Sequence, residues 1–176
     1  MNFTNRNLSY IISISALTLL ACSLSADPSV EAWKSLAAAY ARCDAAAGSR
    51  DAAGTLAIDT QGYQVVTTKG KVLFTNGPKM LQQYRKTYAG AAQVKQKTSV
   101  EKLTLKDNVA TATVLQRLQL SAIDPNINNW RTWVIDWRME DTWIEAGGAW
   151  KRKKTVMLNQ SSSKRIGPIE QQPASQ

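Results

Sequence analysis

The side chains of this chain that could perform acid–base chemistry are a tyrosine and a few carboxylates, because the sequence contains no histidine. That absence excludes Ser-His and Cys-His nucleophile systems and imidazole metal sites, and it removes the commonest general base near neutral pH. Tyr40 and Asp44 lie four residues apart, so on a helix both could face the interior, where burial would raise the pKa of the carboxyl toward that of a general base. A solvent-facing Asp44 is the simpler interpretation.

Cofactor chemistry has no candidate ligands in the sequence. No group of residues has the spacing of a metal site, and no glycine-rich phosphate loop precedes a helix. We therefore expect neither a cofactor nor a metal. Cys43 lies in an alanine-rich helical run, which favours a buried structural thiol over a nucleophile. It is the only thiol left once Cys22 is lipidated or removed, so no internal disulfide is expected.

The most aromatic part of the chain, residues 130–158, is predicted to be a long antiparallel hairpin. Alternate residues from Arg131 to Trp143 would share one side of a strand, because side chains repeat every two residues there. Gly147-Gly148 marks a tight turn, and a second β-rich run follows it. The tryptophans of this hairpin are Trp130, Trp133, Trp137, Trp143 and Trp150.

A turn at Gly147-Gly148 would pair Trp143 with Arg152 and Asp141 with Lys154. One side of the hairpin is then apolar far from the turn and becomes charged and aromatic near it. A cone lined in this way would have an apolar floor and a polar, aromatic mouth, which suits a small apolar ligand with a polar handle. The predicted mouth consists of Trp143, Trp150, Asp141, Arg152 and Lys154. The predicted ligand-binding residues are Tyr40, Trp133, Trp137, Asp141, Trp143, Trp150 and Arg152.

The same side chains could instead serve only the structure. A cross-strand Asp141–Lys154 pair and a cation–π contact of Trp143 with Arg152 are ordinary stabilisers of a sheet. Core packing is likewise the simpler role for the other tryptophans of the first strand.

Three helices are predicted to position these residues. Apolar residues at helical spacing predict a first helix from Ser29, its N-cap, to about Ala47. A short second helix is predicted over residues 50–56. Asn76-Gly77-Pro78 opens a third helix, since proline is tolerated in the first turn, and Gly90 ends it.

Strands account for most of the remaining chain. A small hairpin is predicted from residues 63–67 and 72–74 around Lys69-Gly70. A longer hairpin is predicted from residues 97–105 and 109–121, with Asn108 in its turn suited to a positive φ. Residues 122–129 are predicted to form a loop before the tryptophan-rich hairpin completes the sheet.

This order of elements resembles the nuclear transport factor 2-like superfamily, and within it the bacterial SnoaL-like and uncharacterised secreted members. The likeness spans about Ser29 to Asn159. It implies an α+β fold, in which a cone-shaped, strongly curved and mostly antiparallel sheet packs on about three helices. Short motifs carry it: Tyr40-Ala41 with Asp44, Ile58-Asp59, Lys69-Gly70-Lys71, Asn76-Gly77, Arg131-Thr132-Trp133 and Gly148-Ala149-Trp150-Lys151.

The resemblance also suggests which residues to examine for catalysis. Catalytic members of the superfamily often place a tyrosine on the first helix and acidic residues on strands inside the cone. Tyr40 matches the first feature, and Asp59 and Asp136 are candidates for the second. A histidine common in some enzymatic branches is missing, which favours a non-catalytic role, although fold alone fixes function poorly.

The N-terminus is predicted to direct export. Residues 1–26 have the layout of a signal peptide, and their apolar part is too short to span a membrane. Leu19-Leu20-Ala21-Cys22 resembles the lipobox of bacterial lipoproteins, with Leu20 as a departure, and the serine that follows suggests outer-membrane retention facing the periplasm. Cleavage after Ser25 or Ala26, giving a periplasmic or secreted protein, and an uncleaved anchor are the alternatives. The mature domain is predicted over residues 27–160 and a disordered tail over 161–176.

Charge and composition narrow the expected partners. The formal net charge is +9, with basic residues spread along the chain, so anionic lipids or envelope polymers are expected partners and nucleic acid is not. The leading expectation is an exported, lipid-anchored, non-catalytic protein that binds a small apolar or amphipathic ligand. The alternatives are a histidine-free isomerase, cyclase or dehydratase, and a protein-interaction module that forms a homodimer.

Overall fold

The computed structural model describes residues 28–169, in which three helices pack on one six-stranded sheet. The predicted signal peptide, with Cys22, lies outside the described residues. No helix among the described residues is both long and apolar enough to cross a membrane. The elements are α1 (Pro28–Gly48), α2 (Ala52–Leu56), β1 (Asp59–Thr67), β2 (Val72–Thr75), α3 (Pro78–Gly90), β3 (Gln93–Lys106), β4 (Val109–Asp124), β5 (Asn129–Ala146) and β6 (Ala149–Ile166).

The sheet has the strand order β2-β1-β6-β5-β4-β3. Neighbouring strands are antiparallel except β1 and β6, which run parallel. The sheet is curved and does not close on itself. The predicted α+β architecture, a curved and mostly antiparallel sheet with three helices, is confirmed.

Helix α1 packs across the concave side of the sheet through one buried face. Leu36, Tyr40 and Cys43 recur at spacings of three to four residues, so they fall on the same side of the helix. They contact small residues of β4, where Ala110 and Ala112 are fully buried. The same buried cluster includes Met139 and Trp143 of β5, so α1 covers side chains of both strands.

Several element boundaries differ from those predicted. Helix α1 begins at Pro28, so Ser29 lies within the helix. Strands β3 and β4 are longer than expected, and the predicted loop shrinks to residues 125–128 because both strands extend along their partners. In the β3–β4 turn the positive φ of 54° belongs to Asp107, not Asn108.

The closing hairpin turns at Gly147-Gly148 as predicted, and Trp143 opposes Arg152. The register then shifts between Thr142 and Trp143, so Asp141 opposes Thr155 and the predicted Asp141–Lys154 pair is wrong. A bulge of this kind adds one residue to one strand, which moves the following side chains to new partners. It brings a hydroxyl, rather than an ammonium group, beside the buried carboxylate.

The predicted disorder from Ser161 onward is wrong for residues 161–166. Strand β6 continues to Ile166, and residues 161–166 pair with Asp136 to Arg131 of β5. Most side chains of this segment are polar and exposed, so no alternation of apolar residues predicts a strand here. Backbone pairing with the long strand β5 holds the segment in the sheet. Residues 170–176 lie outside the described part of the chain.

Candidate functional site

A cavity of about 390 Å³ lies inside the cone. All three helices and all six strands contribute to its wall, so it is a product of the whole fold rather than of one motif. Most of the wall is apolar or aromatic, and a single cationic side chain, Arg152, belongs to it. The apolar part includes Val65, Met80, Leu118, Trp137, Met139 and Met157.

The exposure of the wall residues shows which end of the cavity is closed. Tyr63 and Arg152 are buried, which places them at the closed end. Leu73 and Phe74 of β2 are 41% and 53% exposed, and Gln160 is also exposed, so these residues surround the mouth. The predicted orientation, with an apolar floor and a charged mouth, is therefore reversed.

The reversal arises because α1 covers the part of the sheet next to the hairpin turn. Asp141 and Trp143 are fully buried and do not belong to the cavity wall. The Tyr40 ring packs edge-on against Trp143 with 5.0 Å between ring centroids. Lys154, which was also predicted at the mouth, is an exposed residue outside the wall.

Asp141 is the centre of a buried hydrogen-bond network behind the closed end. The Tyr40 hydroxyl donates to Asp141 Oδ2 at 2.5 Å, and the Thr155 hydroxyl donates to Asp141 Oδ1. The Trp143 indole N–H donates to the Tyr40 oxygen at 3.0 Å. The Tyr63 and Thr155 hydroxyl oxygens lie 2.7 Å apart, which extends the network into the cavity wall.

Arg152 connects this network to the cavity. Its Nε donates to Asp59 Oδ1 at 2.8 Å and its Nη1 to Asp141 Oδ2 at 3.5 Å. Its guanidinium carbon lies 4.6 Å from the centroid of the Tyr63 ring, within the range of a cation–π contact. Burial lowers the pKa of Arg152, but its anionic neighbours raise that pKa by more, so the guanidinium stays charged.

Asp59 is a buried carboxyl whose set of hydrogen-bond partners is incomplete. Its side chain is fully buried, and Oδ2 has no hydrogen-bond partner within the described residues. Burial raises the pKa of Asp59, and the ion pair with Arg152 opposes that rise. Asp59 lies behind Arg152 and is not part of the cavity wall.

The remaining candidate carboxylates lie elsewhere. Asp136 is on the outer face of the sheet, where it accepts two hydrogen bonds from Arg117 at 2.6 and 3.0 Å, and this contact lowers the pKa of Asp136. It is thus not inside the cone. Asp44 accepts hydrogen bonds from Gln96 and from the backbone and hydroxyl of Thr98, so it fastens α1 to the edge strand β3.

The tryptophans of the hairpin divide into different environments. Trp137 belongs to the cavity wall. Trp150 is partly buried against the main core, and Trp133 is half-buried away from this cavity. The chain therefore brings one of its predicted ligand-binding tryptophans and Arg152 to the cavity, with Tyr40, Asp141 and Trp143 directly behind.

Several wall residues were not predicted, among them Tyr63, Tyr84 and the β2 pair Leu73 and Phe74. Helical periodicity identifies the apolar face of α3, but nothing in that pattern distinguishes a face packed on the core from one facing a cavity. Cys43, predicted to be a buried thiol, is buried and donates to the Thr55 carbonyl at 3.3 Å. Burial raises the pKa of Cys43 to about 11, so the thiol is protonated at neutral pH.

Across residues 28–169, no group of three or more histidine, cysteine, aspartate or glutamate side chains could hold a metal ion. The two carboxylates that converge at Arg152 are buried against its positive charge, which disfavours a metal ion at that place.

No family model matches the sequence, and no curated protein is significantly similar to it. A protein of unknown function from Mycobacterium tuberculosis aligns with a TM-score of 0.59 at 15% identity, covering 82% of this chain and 79% of that one. A nuclear transport factor 2-like protein of unknown function from Silicibacter pomeroyi aligns with a TM-score of 0.51 at 14% identity, covering 78% and 97%.

A provisionally assigned scytalone dehydratase from Novosphingobium aromaticivorans aligns with a TM-score of 0.55 at 13% identity, covering 82% of this chain and 97% of that one. Structural matches at such low sequence identity show the fold and do not determine the function. The strand order, the three helices and these structural matches agree with one another. The chain has the cone fold of the nuclear transport factor 2-like superfamily.

Proposed function

We propose that the protein binds a small apolar or amphipathic molecule inside its cone without transforming it. The observation that carries this proposal is the cavity itself: about 390 Å³ of space with a mostly apolar wall and one cationic side chain at its closed end. Small-molecule sites have volumes of roughly 300–1,000 Å³ and combine an apolar wall with a few polar groups that orient the ligand.

Acid–base catalysis, the second candidate, receives less support from the geometry. A general acid or base must lie within about 2.6–3.2 Å of the proton it transfers, or reach it through one water. Tyr40 and Asp59 both lie behind Arg152 rather than in the cavity wall, and Asp136 is on the outer face. The raised pKa of Asp59 and the dehydratase name of one fold neighbour favour this reading, but neither brings a proton-transfer group to the ligand.

Ligand binding is expected to change tryptophan fluorescence through Trp137, which lies in the cavity wall. We expect at least one class in a panel of sterols, lipids and aromatic compounds to alter the emission. In Trp137→Phe most of that change should disappear, while the Kd measured by calorimetry stays within about tenfold of wild type. Trp33→Phe, at an exposed position on α1, is the matched control and should keep the full change.

A panel that produces neither a fluorescence change nor a calorimetric signal in any class would count against the binding proposal. A fluorescence change that persists in Trp137→Phe and disappears in Trp33→Phe would show that the ligand does not bind inside the cone.

We also propose that the protein is exported and attached to a membrane through lipidated Cys22, a position outside the described residues. The support is the sequence pattern of the N-terminus, to which the positive charge of the chain would add attraction to anionic headgroups at low salt. Cys22→Ser is expected to move the protein from the membrane fraction to the soluble fraction without changing its circular dichroism spectrum. Cys43→Ser is the control and should stay membrane-bound.

The anchor would be refuted by a Cys22→Ser protein that remains in the membrane fraction. A soluble wild-type protein whose mature N-terminus is Ala26 or Asp27 would refute it as well.

A further inference from the structure

We propose that the ligand carries an uncharged oxygen acceptor, a carbonyl or hydroxyl group, which points inward to Arg152 and Tyr84, while its apolar part lies against Leu73 and Phe74 at the mouth. This inference rests on the proposed binding function and adds the polarity and orientation of the ligand.

Arg152 and Tyr84 each bring to the wall a hydrogen-bond donor that no described residue uses. Arg152 donates from Nε to Asp59 and from Nη1 to Asp141, whereas Nη2 has no hydrogen bond to any residue that the structure describes. The Tyr84 hydroxyl likewise has no hydrogen-bond partner among residues 28–169. Both residues belong to the cavity wall, where a ligand oxygen could accept from these donors in place of water.

The charge balance at the closed end favours an uncharged ligand. One guanidinium already faces two carboxylates, with Asp59 Oδ1 at 2.8 Å and Asp141 Oδ2 at 3.5 Å. An anionic ligand group would add a third negative charge around a single positive one. A cationic group would meet Arg152 first, because neither carboxylate belongs to the cavity wall. A neutral acceptor can take the free N–H without either repulsion.

The mouth supplies the apolar contact. Leu73 and Phe74 lie on the short edge strand β2, all of whose side chains are exposed. Large apolar side chains grouped on an exposed edge are a liability unless something covers them. Because both residues also belong to the cavity wall, the apolar part of a bound ligand would cover them.

Three naphthalene probes of similar shape test the inference by calorimetry at neutral pH. 2-Acetylnaphthalene carries a neutral ketone, 2-naphthoate a carboxylate, and 2-isopropylnaphthalene no acceptor. We expect the ketone to bind on the order of tenfold more tightly than either of the others. Equal affinities, or tightest binding of 2-naphthoate, would overturn the inference and leave the binding function standing. No binding of any probe would overturn the inference and count against the binding function as well.

Variants that keep the buried charges in place test the polar and the apolar end of the proposed ligand separately. Tyr84→Phe is expected to weaken ketone binding several-fold and to leave 2-isopropylnaphthalene unaffected. Phe74→Ala is expected to weaken all three probes by a similar factor. Leu115→Ala, at an exposed position outside the cavity, is the control and should change none of them. An unchanged ketone preference in Tyr84→Phe would exclude this hydroxyl from the site.

Discussion

Asp141→Ala is expected to lower the free energy of unfolding by about 3–5 kcal/mol, because it removes the carboxylate on which a buried network depends. Asp141 is fully buried and accepts hydrogen bonds from Tyr40, Thr155 and Arg152. The substitution leaves two buried hydroxyls and one arm of a buried guanidinium without their acceptor. Urea unfolding followed by far-ultraviolet circular dichroism measures the change.

Asp136→Ala is the matched control for this prediction, since Asp136 lies on the same strand but on the outer face. Its ion pair with Arg117 is solvent-exposed, and such pairs contribute about 0–1 kcal/mol. The two variants are therefore expected to differ by several kcal/mol although each removes one carboxylate. Similar losses in both would mean that the Asp141 network does not hold α1 to the sheet.

Trp143→Ala is expected to destabilise the protein by about 3–5 kcal/mol, because the removed indole leaves a large cavity in the main core. Trp143 is fully buried, packs edge-on against Tyr40 and donates its indole N–H to the Tyr40 oxygen. Thermal or urea unfolding gives the magnitude. Trp33→Ala is the control, because Trp33 is 41% exposed and should cost little.

A milder substitution at the same position separates a structural role from ligand contact. Trp143 does not belong to the cavity wall, so Trp143→Phe should leave the affinity for an apolar probe within about threefold of wild type while still lowering stability. A folded Trp143→Phe protein that binds the probe more than tenfold less tightly would show that the indole contacts the ligand after all.

The sequence predicts the tyrosine and the arginine of the buried cluster, but not their positions relative to the cavity. Tyr40 was identified by helical spacing and Arg152 by its pairing opposite Trp143, and both lie in the buried cluster. The predicted pairing fails from the next residue, Thr142, and Asp141 therefore has a different partner. A bulge is a response of the strand to packing on both faces, and no residue in the hairpin signals it.

Asp59 has a role that local sequence patterns do not predict. It was named by resemblance, yet its role as the partner of Arg152 follows from the parallel pairing of β1 with β6, which brings together strands far apart in the chain. Asp136 was named by the same reasoning and lies on the opposite face. A strand alternates strictly between faces, so the sequence separates the two faces without saying which of them is concave.

By itself the sequence determined the order of helices and strands, the glycine turn of the closing hairpin and the absence of imidazole chemistry. It also predicted which known fold the chain resembles. Each of these depends on residues close together in the chain or on composition. Only the tertiary structure decided the strand register beyond the bulge, the burial of Asp141 and Trp143 under α1, and the direction in which the cavity opens. These features depend on how a helix seats on a curved sheet, which is set by the packing of distant side chains rather than by any local pattern.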